Sequence, residues 1–348
     1  MIPYTKHTIG DRDKEAVARA MENALTQGDQ VKRFEEEIAA YCGAKYAVAC
    51  TNGTDALWLA YNAVGLMPWW TVAVPAITFV ATANMAAMHS ASVEFVDVGD
   101  DGNMTADSQL DCQVVAPVHM TGKSCNMNAI NNAYGSHAII IEDAAHAFGA
   151  SYDRHKVGSC RHSDACCFSF HPSKSITTAE GGCVTTNDDD IYDNLIMARN
   201  HGFEPYSHTQ VALGRNCRMN ELQAALGREQ LKRVDMFIEQ RQEIARYYLS
   251  KLGNVEGLKL PRISEDDAVH LFVVQTDRRA ELMAALNKRG VTTQIHYGAM
   301  HRQPYWEDGQ SLPGAEAWAD RCLSLPCYPT LTQAEQDKTI EIIKEALG

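Results

Sequence analysis

Two hydrophobic periods alternate along the chain. Ala44–Cys50, Thr71–Ala76, Val93–Val98, Gln113–Val118 and Ala138–Glu142 are short runs rich in Val, Ile and Ala, and they are predicted as strands. Thr54–Val64, Phe79–Met88 and Asn126–Tyr134 carry helical spacing between them. The strand runs are continuously apolar and do not alternate, as in strands covered on both faces. Asp164–Phe170 and Gly182–Thr186 predict two further strands. Asn220–Leu252 reads as one long helix, with Leu231, Val234, Ile238, Ala245 and Tyr248 near one face. A smaller βαβ-like unit follows: a strand at Ala268–Gln275, a helix at Arg279–Arg289 and a strand at Val291–His296. A helix from Thr332 to Leu347 closes the chain. The pattern predicts an α/β protein with a parallel or mixed central sheet flanked by helices. Its expected division is a large domain, 1–240, and a smaller α/β domain, 241–348.

Composition narrows the function classes. The 348 residues are 45% hydrophobic and 22% charged, within the range of globular chains. Thirty-one Lys and Arg against 44 Asp and Glu give a formal charge of −13. That balance argues against nucleic acid and anionic membranes as partners, while leaving room for a local basic pocket. Met1–Asp13 has no apolar segment of the secretory kind. Val72–Met88, the longest apolar stretch, is interrupted by Pro75, Thr78, Thr82 and Asn84 and is too short to span a bilayer. A cytoplasmic location is expected. Eleven cysteines, an odd number without a CxxC pair, are read as reduced, mostly buried thiols, and no metal site is expected.

Several motifs fail on inspection. Thr121-Gly122-Lys123-Ser124 follows a strand, yet a phosphate-binding loop needs glycine where Pro117 stands, and proline has no N–H to offer. No GxGxxG, HExxH or GxSxG occurs.

Four segments remain, each with one part of a different site. Thr51–Leu57 is a strand end, a glycine turn at Gly53 and a helix start at Thr54, an arrangement that binds phosphate. Read alone it is also an ordinary capped helix. Ala138–Ala150 puts Glu142, Asp143 and His146 at the carboxyl end of a buried strand, where open α/β sheets bind ligands. Asp143 there suits a protonated ring nitrogen, or a helix cap. Phe168–Gly182 holds Lys174 among small and hydroxyl residues; desolvation frees such an amine to act as a Schiff-base nucleophile. An exposed loop lysine is the plain alternative. Gly214–Leu226 offers Asn216 and Arg218 before a helix, as anion ligands or as surface charge. A phosphate cradle, a carboxylate and a Schiff-base lysine are together what a protein supplies to pyridoxal phosphate.

These segments resemble the DegT-like sugar-nucleotide aminotransferases, a family of fold-type-I pyridoxal phosphate enzymes. The resemblance runs nearly end to end. It is carried by LTQGDQVKRFEE (25–36), NGTDALWLA (52–60), VPAITFVATANM (74–85), IIEDAAHAFGA (140–150), SFHPSKSITTAEGG (169–182), GRNCRMNELQAALGREQLKR (214–233) and LSLPCYPTLT (323–332). LTQG, HPSKSITTAEGG, IHYGAMHRQPYW and LSLPCYP most resemble the branch that aminates UDP-linked 4-keto-6-deoxy hexoses in pseudaminic-acid-like pathways. Pro68-Trp69-Trp70 and Met120–Ser124 depart from the family pattern.

The resemblance implies roles residue by residue. Lys174 is the Schiff-base lysine and proton shuttle. Asp143 pairs with the pyridinium nitrogen, Phe79 stacks on the ring, and His146 lies beside it. Gly53, Thr54 and Ser169 hold the phosphate. Asn216 reaches the cofactor phosphate of a neighbouring subunit, making the active sites of a homodimer shared. Arg218 supports that loop or binds substrate. His296, Tyr297 and His301 are candidate sugar or diphosphate contacts, or packing residues. The implied reaction moves an amino group from L-glutamate to a nucleotide-linked keto-deoxy sugar, with pyridoxamine phosphate as the carrier form. Sugar dehydratases of the family carry histidine in place of the lysine, and Lys174 argues against that reading. A binding homologue without turnover is disfavoured because no cofactor part is missing.

Overall fold

The computed structural model describes residues 1–106, 110–205, 207 and 209–348. Two helices, α1 (Asp11–Ala20) and α2 (Asp29–Cys42), precede the first strand. There follow β1 (Tyr46–Cys50), α3 (Gly53–Ala63), β2 (Thr71–Pro75), α4 (Ala81–Met88), β3 (Ser92–Val96), β4 (Val114–Val115), α5 (Met127–Tyr134) and β5 (Ile139–Asp143). A small hairpin, β6 (Ser151–Tyr152) and β7 (His155–Lys156), leads to β8 (Ala165–Ser169), β9 (Gly182–Thr186) and α6 (Asp189–Arg199). The chain finishes with α7 (Glu221–Leu231), α8 (Val234–Leu252), β10 (Phe272–Gln275), α9 (Arg279–Lys288), α10 (Pro313–Arg321), β11 (Cys322–Leu325) and α11 (Gln333–Leu347).

Seven strands form the main sheet in the order β1-β9-β8-β5-β4-β2-β3. β2 pairs in parallel with β3 and β4, β4 with β5, and β5 with β8. β9 runs against both of its neighbours, β1 and β8. The sheet is therefore mixed but mostly parallel, with six strands aligned. Each face is covered by its own apolar core, as the continuous Val/Ile/Ala runs require. α3 and α4 pack on one face with Val48, Val74 and Ile141, and α2 and α7 on the other with Ala49, Cys166 and Phe168. Cys166 and Cys167, adjacent on β8, enter opposite cores. All eleven cysteines are buried and free. Among the described residues, no helix is long and apolar enough to cross a membrane.

Two sequence expectations need correction. The single helix expected over Asn220–Leu252 is two. α7 ends at Leu231, and Arg233, at φ −123° and ψ 7°, turns the chain before α8 begins. The turn directs the Arg233 guanidinium to Asp13, which α1 carries fully buried, at 2.5 Å. α8 then leaves the core beneath α2 and α7, where Val234, Phe237 and Ile238 pack, and enters another with Ile244, Ala245, Tyr248 and Leu252. The apolar face continues across the break, so periodicity alone reads as one helix.

The strand expected at Val291–His296 is likewise absent from the sheets. That stretch makes isolated bridges, Val291 to Ile2 and Gln294 to Ser324. The antiparallel partner of β10 is β11, from the LSLPCYP segment. Residues 294–298 instead line the main cleft.

Candidate active site

The aligned strands deliver their carboxyl ends to one edge of the sheet, where a cleft of about 930 Å³ opens. β1 ends at Cys50 and the chain turns into α3 at Gly53. Asn52 caps α3 by accepting from the Asp55 N–H at 2.8 Å. Helix geometry leaves the N–H groups of Gly53 and Thr54 without an intrahelical acceptor, and both residues line the cleft. Ser169, the last residue of β8, closes this cradle from beside it. A Cβ on Gly53 would lie 2.7 Å from the Ser169 Cβ, so only glycine allows the approach.

Asp143 ends β5 and is 4% exposed. Its Oδ2 accepts from the Thr82 hydroxyl at 2.6 Å, and its Oδ1 from the Ala145 N–H at 3.1 Å. Thr82 Oγ1 is in turn 2.7 Å from the hydroxyl of Thr78, in the bend before α4. Two backbone bonds pin Asp143 to the segment after β4: its N–H donates to the Pro117 carbonyl and its carbonyl accepts from the His119 N–H.

Lys174 enters the same cleft from the loop between β8 and β9. Burial lowers its pKa from 10.5 to about 8, against the pull of the Asp143 charge. His146 is buried, its Nε2 3.1 Å from the Tyr297 hydroxyl. Its pKa lies well below the usual histidine value because of burial first, then the nearby Lys174 and His296. His296 bonds Ser324 Oγ through Nδ1 at 2.8 Å and is pushed down to about 4, again by burial and then Lys174. The Tyr297 hydroxyl is raised by burial and by Asp143. The cleft thus holds neutral imidazoles around a lysine that is partly free amine near neutrality.

The structure brings together Gly53, Thr54, Phe79, Asp143, His146, Ser169, Lys174, His296 and Tyr297. Phe79 is 54% exposed, its ring 6.0 Å from that of Tyr297. Three candidates do not line this cleft. Asn216 is exposed, and its Oδ1 accepts from the Arg218 N–H at 3.3 Å. The Arg218 guanidinium goes to Asn200 Oδ1, which makes it a support of that loop. His301 is buried on a turn after the cleft segment, its Nε2 3.5 Å from Glu316 Oε1.

Sequence reasoning missed four lining or supporting residues. Arg215 lines the cleft, ion-paired with Asp55 and 4.3 Å from the centre of the Trp58 ring. Tyr4 arrives from the N-terminal segment, its ring 5.6 Å from His296. His270 packs on His146 at 4.4 Å. Thr82 alone had a readable signal, a hydroxyl on the first turn of α4 four residues after the Thr78 hydroxyl.

The whole chain aligns with known proteins. The DegT/DnrJ/EryC1/StrS aminotransferase family model matches residues 7–344. A Campylobacter jejuni UDP-4-amino-4,6-dideoxy-N-acetyl-beta-L-altrosamine transaminase is 31% identical over 371 residues, covering 100% of this chain and 96% of the relative. A Streptomyces venezuelae dTDP-3-amino-3,4,6-trideoxy-alpha-D-glucose transaminase is 35% identical over 348 residues, covering 95% and 90%. Among solved structures, Helicobacter pylori PseC, an aminotransferase involved in the biosynthesis of pseudoaminic acid, superposes with a TM-score of 0.95 at 27% identity, covering 99% of each chain. A lysine and a carboxylate facing one cleft are the parts amino-group transfer needs, and with a family match over residues 7–344 the chain belongs to the DegT/DnrJ/EryC1/StrS aminotransferases and is an enzyme of the sugar-aminotransferase kind.

Proposed function

We propose that the chain uses pyridoxal 5'-phosphate to move the amino group of L-glutamate to a UDP-linked 4-keto-6-deoxy hexose. The observation that carries the cofactor reading is Lys174, lowered to about 8, in the same cleft as the buried Asp143 carboxylate. The residues fit the group. The helix start at Gly53 and Thr54, with Ser169, suits a phosphate. Asp143 suits a pyridinium nitrogen, because a buried carboxylate gains most from a cationic partner. When bound, pyridoxal phosphate supplies an aldehyde carbon and an electron-withdrawing ring.

The chain's own residues then divide the work. Asp143, held by Thr82 and Ala145, presents a fixed negative charge. Lys174 Nζ acts as nucleophile and afterwards carries a proton between carbon atoms of the ligand. Phe79 covers one side of the ligand space with an aromatic face. His146 and Tyr297 fix polar atoms beside it. Asn216 serves the cofactor phosphate of a second subunit, which accounts for its exposure in one chain. Residues 1–240 and 241–348 act as two domains that meet around the cleft.

The UDP-4-keto reading is supported by the Campylobacter and Helicobacter relatives. Amination of a dTDP- or GDP-linked keto sugar, at carbon 3 or carbon 4, is the alternative, and the Streptomyces relative supports its dTDP, carbon-3 form. The deciding experiment loads the protein with pyridoxal phosphate and follows its absorbance. Glutamate bleaches the long-wavelength band, and a panel of 4-keto and 3-keto UDP-, dTDP- and GDP-sugars is then scored for its return. A protein that stays colourless with pyridoxal phosphate refutes the cofactor reading. Return of the band with a dTDP- or GDP-sugar but not a UDP-sugar refutes the substrate.

A further inference from the structure

His146 has one hydrogen-bond partner for its ring, the Tyr297 hydroxyl at Nε2. Its Nδ1 is buried without a partner among the described residues. One bond at Nε2 leaves the ring free to pivot about that contact, so something else must set its plane. His270 is the aromatic group in place to do so. The two imidazole centroids are 4.4 Å apart with the rings tilted by 47°, and both residues line the cleft.

His270 is itself held with unusual firmness. The segment leading into β10 is hydrogen-bonded to the turn at Met120–Gly122: Ala268 N donates to Gly122 O at 2.8 Å and Leu271 N to Thr121 O at 3.1 Å. A Cβ on Gly122 would lie 2.7 Å from the His270 N, so glycine is required for this approach. From the other side Arg241, 2% exposed on α8, donates from Nη1 to the His270 carbonyl at 3.2 Å and to the Cys327 carbonyl at 2.6 Å. Its Nε has no partner among the described residues. Burial, first of all, lowers the His270 pKa well below the usual histidine value, and His146, Lys174, the Arg241 guanidinium and His296 add to it, so the ring is neutral. Two neutral rings can pack at this spacing and tilt, whereas two imidazolium ions there would repel.

We infer that His270 is a positioning residue for His146: it sets the plane of the His146 ring from the far side, and Arg241 locks His270 in place by its carbonyl. The inference rests on the aminotransferase reading only for its kinetic arm. The structural arm uses the protein without cofactor. In ¹⁵N-histidine spectra, His270→Leu shifts the His146 ring resonances, identified by their loss in His146→Asn, while His270→Phe, which retains a flat ring, leaves them near their original positions.

The kinetic arm is a double-mutant cycle on the glutamate-driven bleaching of the pyridoxal phosphate-loaded enzyme. His270→Leu slows it about tenfold, His270→Phe restores most of the rate, and His270→Leu adds nothing in a His146→Asn background. Thermal melting of each variant confirms that the fold is kept. Unchanged His146 resonances in both His270 variants overturn the inference, as do losses that multiply in the double variant. Failure of the wild-type protein to take up pyridoxal phosphate refutes the cofactor reading and leaves the spectroscopic arm standing.

Discussion

Replacing Asp143 by Asn removes the charge that draws a proton toward Lys174, without changing shape. The lysine falls from 10.5 to about 8 because burial outweighs the attraction of Asp143. That fall corresponds to about 3 kcal/mol against the protonated form. At pH 7 it raises the free-amine fraction roughly 300-fold, from about 0.03% to about 9%. With Asp143 neutralised, burial acts unopposed and the pKa drops further. The free amine at pH 7 then rises by at most about tenfold, since about 9% is already free. The assay is reductive methylation of cofactor-free protein with a small neutral aldehyde across about pH 5.5 to 10, with the Lys174 peptide quantified by mass spectrometry. The midpoint is expected near 8 in the parent and lower in Asp143→Asn. A parent midpoint near 10, or an upward move in the variant, refutes the reasoning. Linkage gives a second readout with a definite sign. The folded chain binds this proton less tightly than the unfolded chain, so Lys174 subtracts stability below about pH 8, and the penalty fades between 8 and 10.5. Lys174→Met therefore raises the melting temperature of cofactor-free protein at pH 7, by an amount that shrinks as pH approaches 10.5.

Other outcomes follow from single contacts. Thr82→Val removes the 2.6 Å bond to Asp143 but keeps the volume; loss of a charge-assisted bond of about 1.5–3 kcal/mol weakens pyridoxal phosphate binding about tenfold or more in equilibrium dialysis, and Thr82→Ser restores it. Gly53→Ala forces a Cβ to within 2.7 Å of the Ser169 Cβ, so unfolding by urea is expected to ease by about 1–3 kcal/mol, partly relieved by adding Ser169→Gly. Glu221, 1% exposed, accepts the N–H groups of Gly28 (2.8 Å) and Gln30 (2.6 Å) at the start of α2. Glu221→Gln keeps one acceptor oxygen and loses the charge, lowering stability by about 2 kcal/mol in denaturant titrations. Co-expressed subunits, one with Lys174→Ala and one with Asn216→Ala, regain activity if Asn216 serves its partner's site, because one of the two sites is then intact. Mixed subunits with no activity above either parent would place Asn216 in its own subunit's site.

Much of this architecture was legible because chemistry and periodicity coincide at strand ends. Asp143 and Ser169 each close a continuous apolar run, and Gly53 follows one, so the residues that face the cleft sit where the apolar pattern stops. Lys174 was legible by its residue type in a loop of small side chains. What escaped was brought in by long-range packing. Arg215 meets Asp55 across 160 positions of sequence, and Tyr4 reaches His296 from the opposite end of the chain. No local pattern marks either one. His270 hid for the opposite reason: it lies in an apolar run, AVHLFVV, and looks like any strand residue there. The expected strand Gln113–Val118 shrinks to Val114–Val115 because Pro117 has no N–H for the ladder, and pairing resumes only as the Val118–Asp143 bridge.

The same interruption has a use in the site. Pro117 gives up a ladder donor but keeps its carbonyl, and that carbonyl takes the Asp143 N–H at 2.9 Å. Two residues on, His119 donates its own N–H to the Asp143 carbonyl at 3.0 Å, while its ring Nε2 lies 2.6 Å from Glu142. Glu142 and Asp143 are neighbours on a strand, so their side chains leave opposite faces of the sheet. The outward carboxylate is held by His119 and Ser163, and the inward one by Thr82 and the Ala145 N–H. Each of the two buried acids is thus satisfied by its own donors, as buried polar groups require. The opening charge of −13 takes on a different meaning in this light. The charged side chains lining the cleft are Lys174 and the paired Arg215 against Asp143, Asp55 and Glu180, with neutral histidines among them. An anionic ligand in the cleft meets Lys174 and Arg215 at close range, while exposed charges more than a Debye length of about 8 Å away are largely screened.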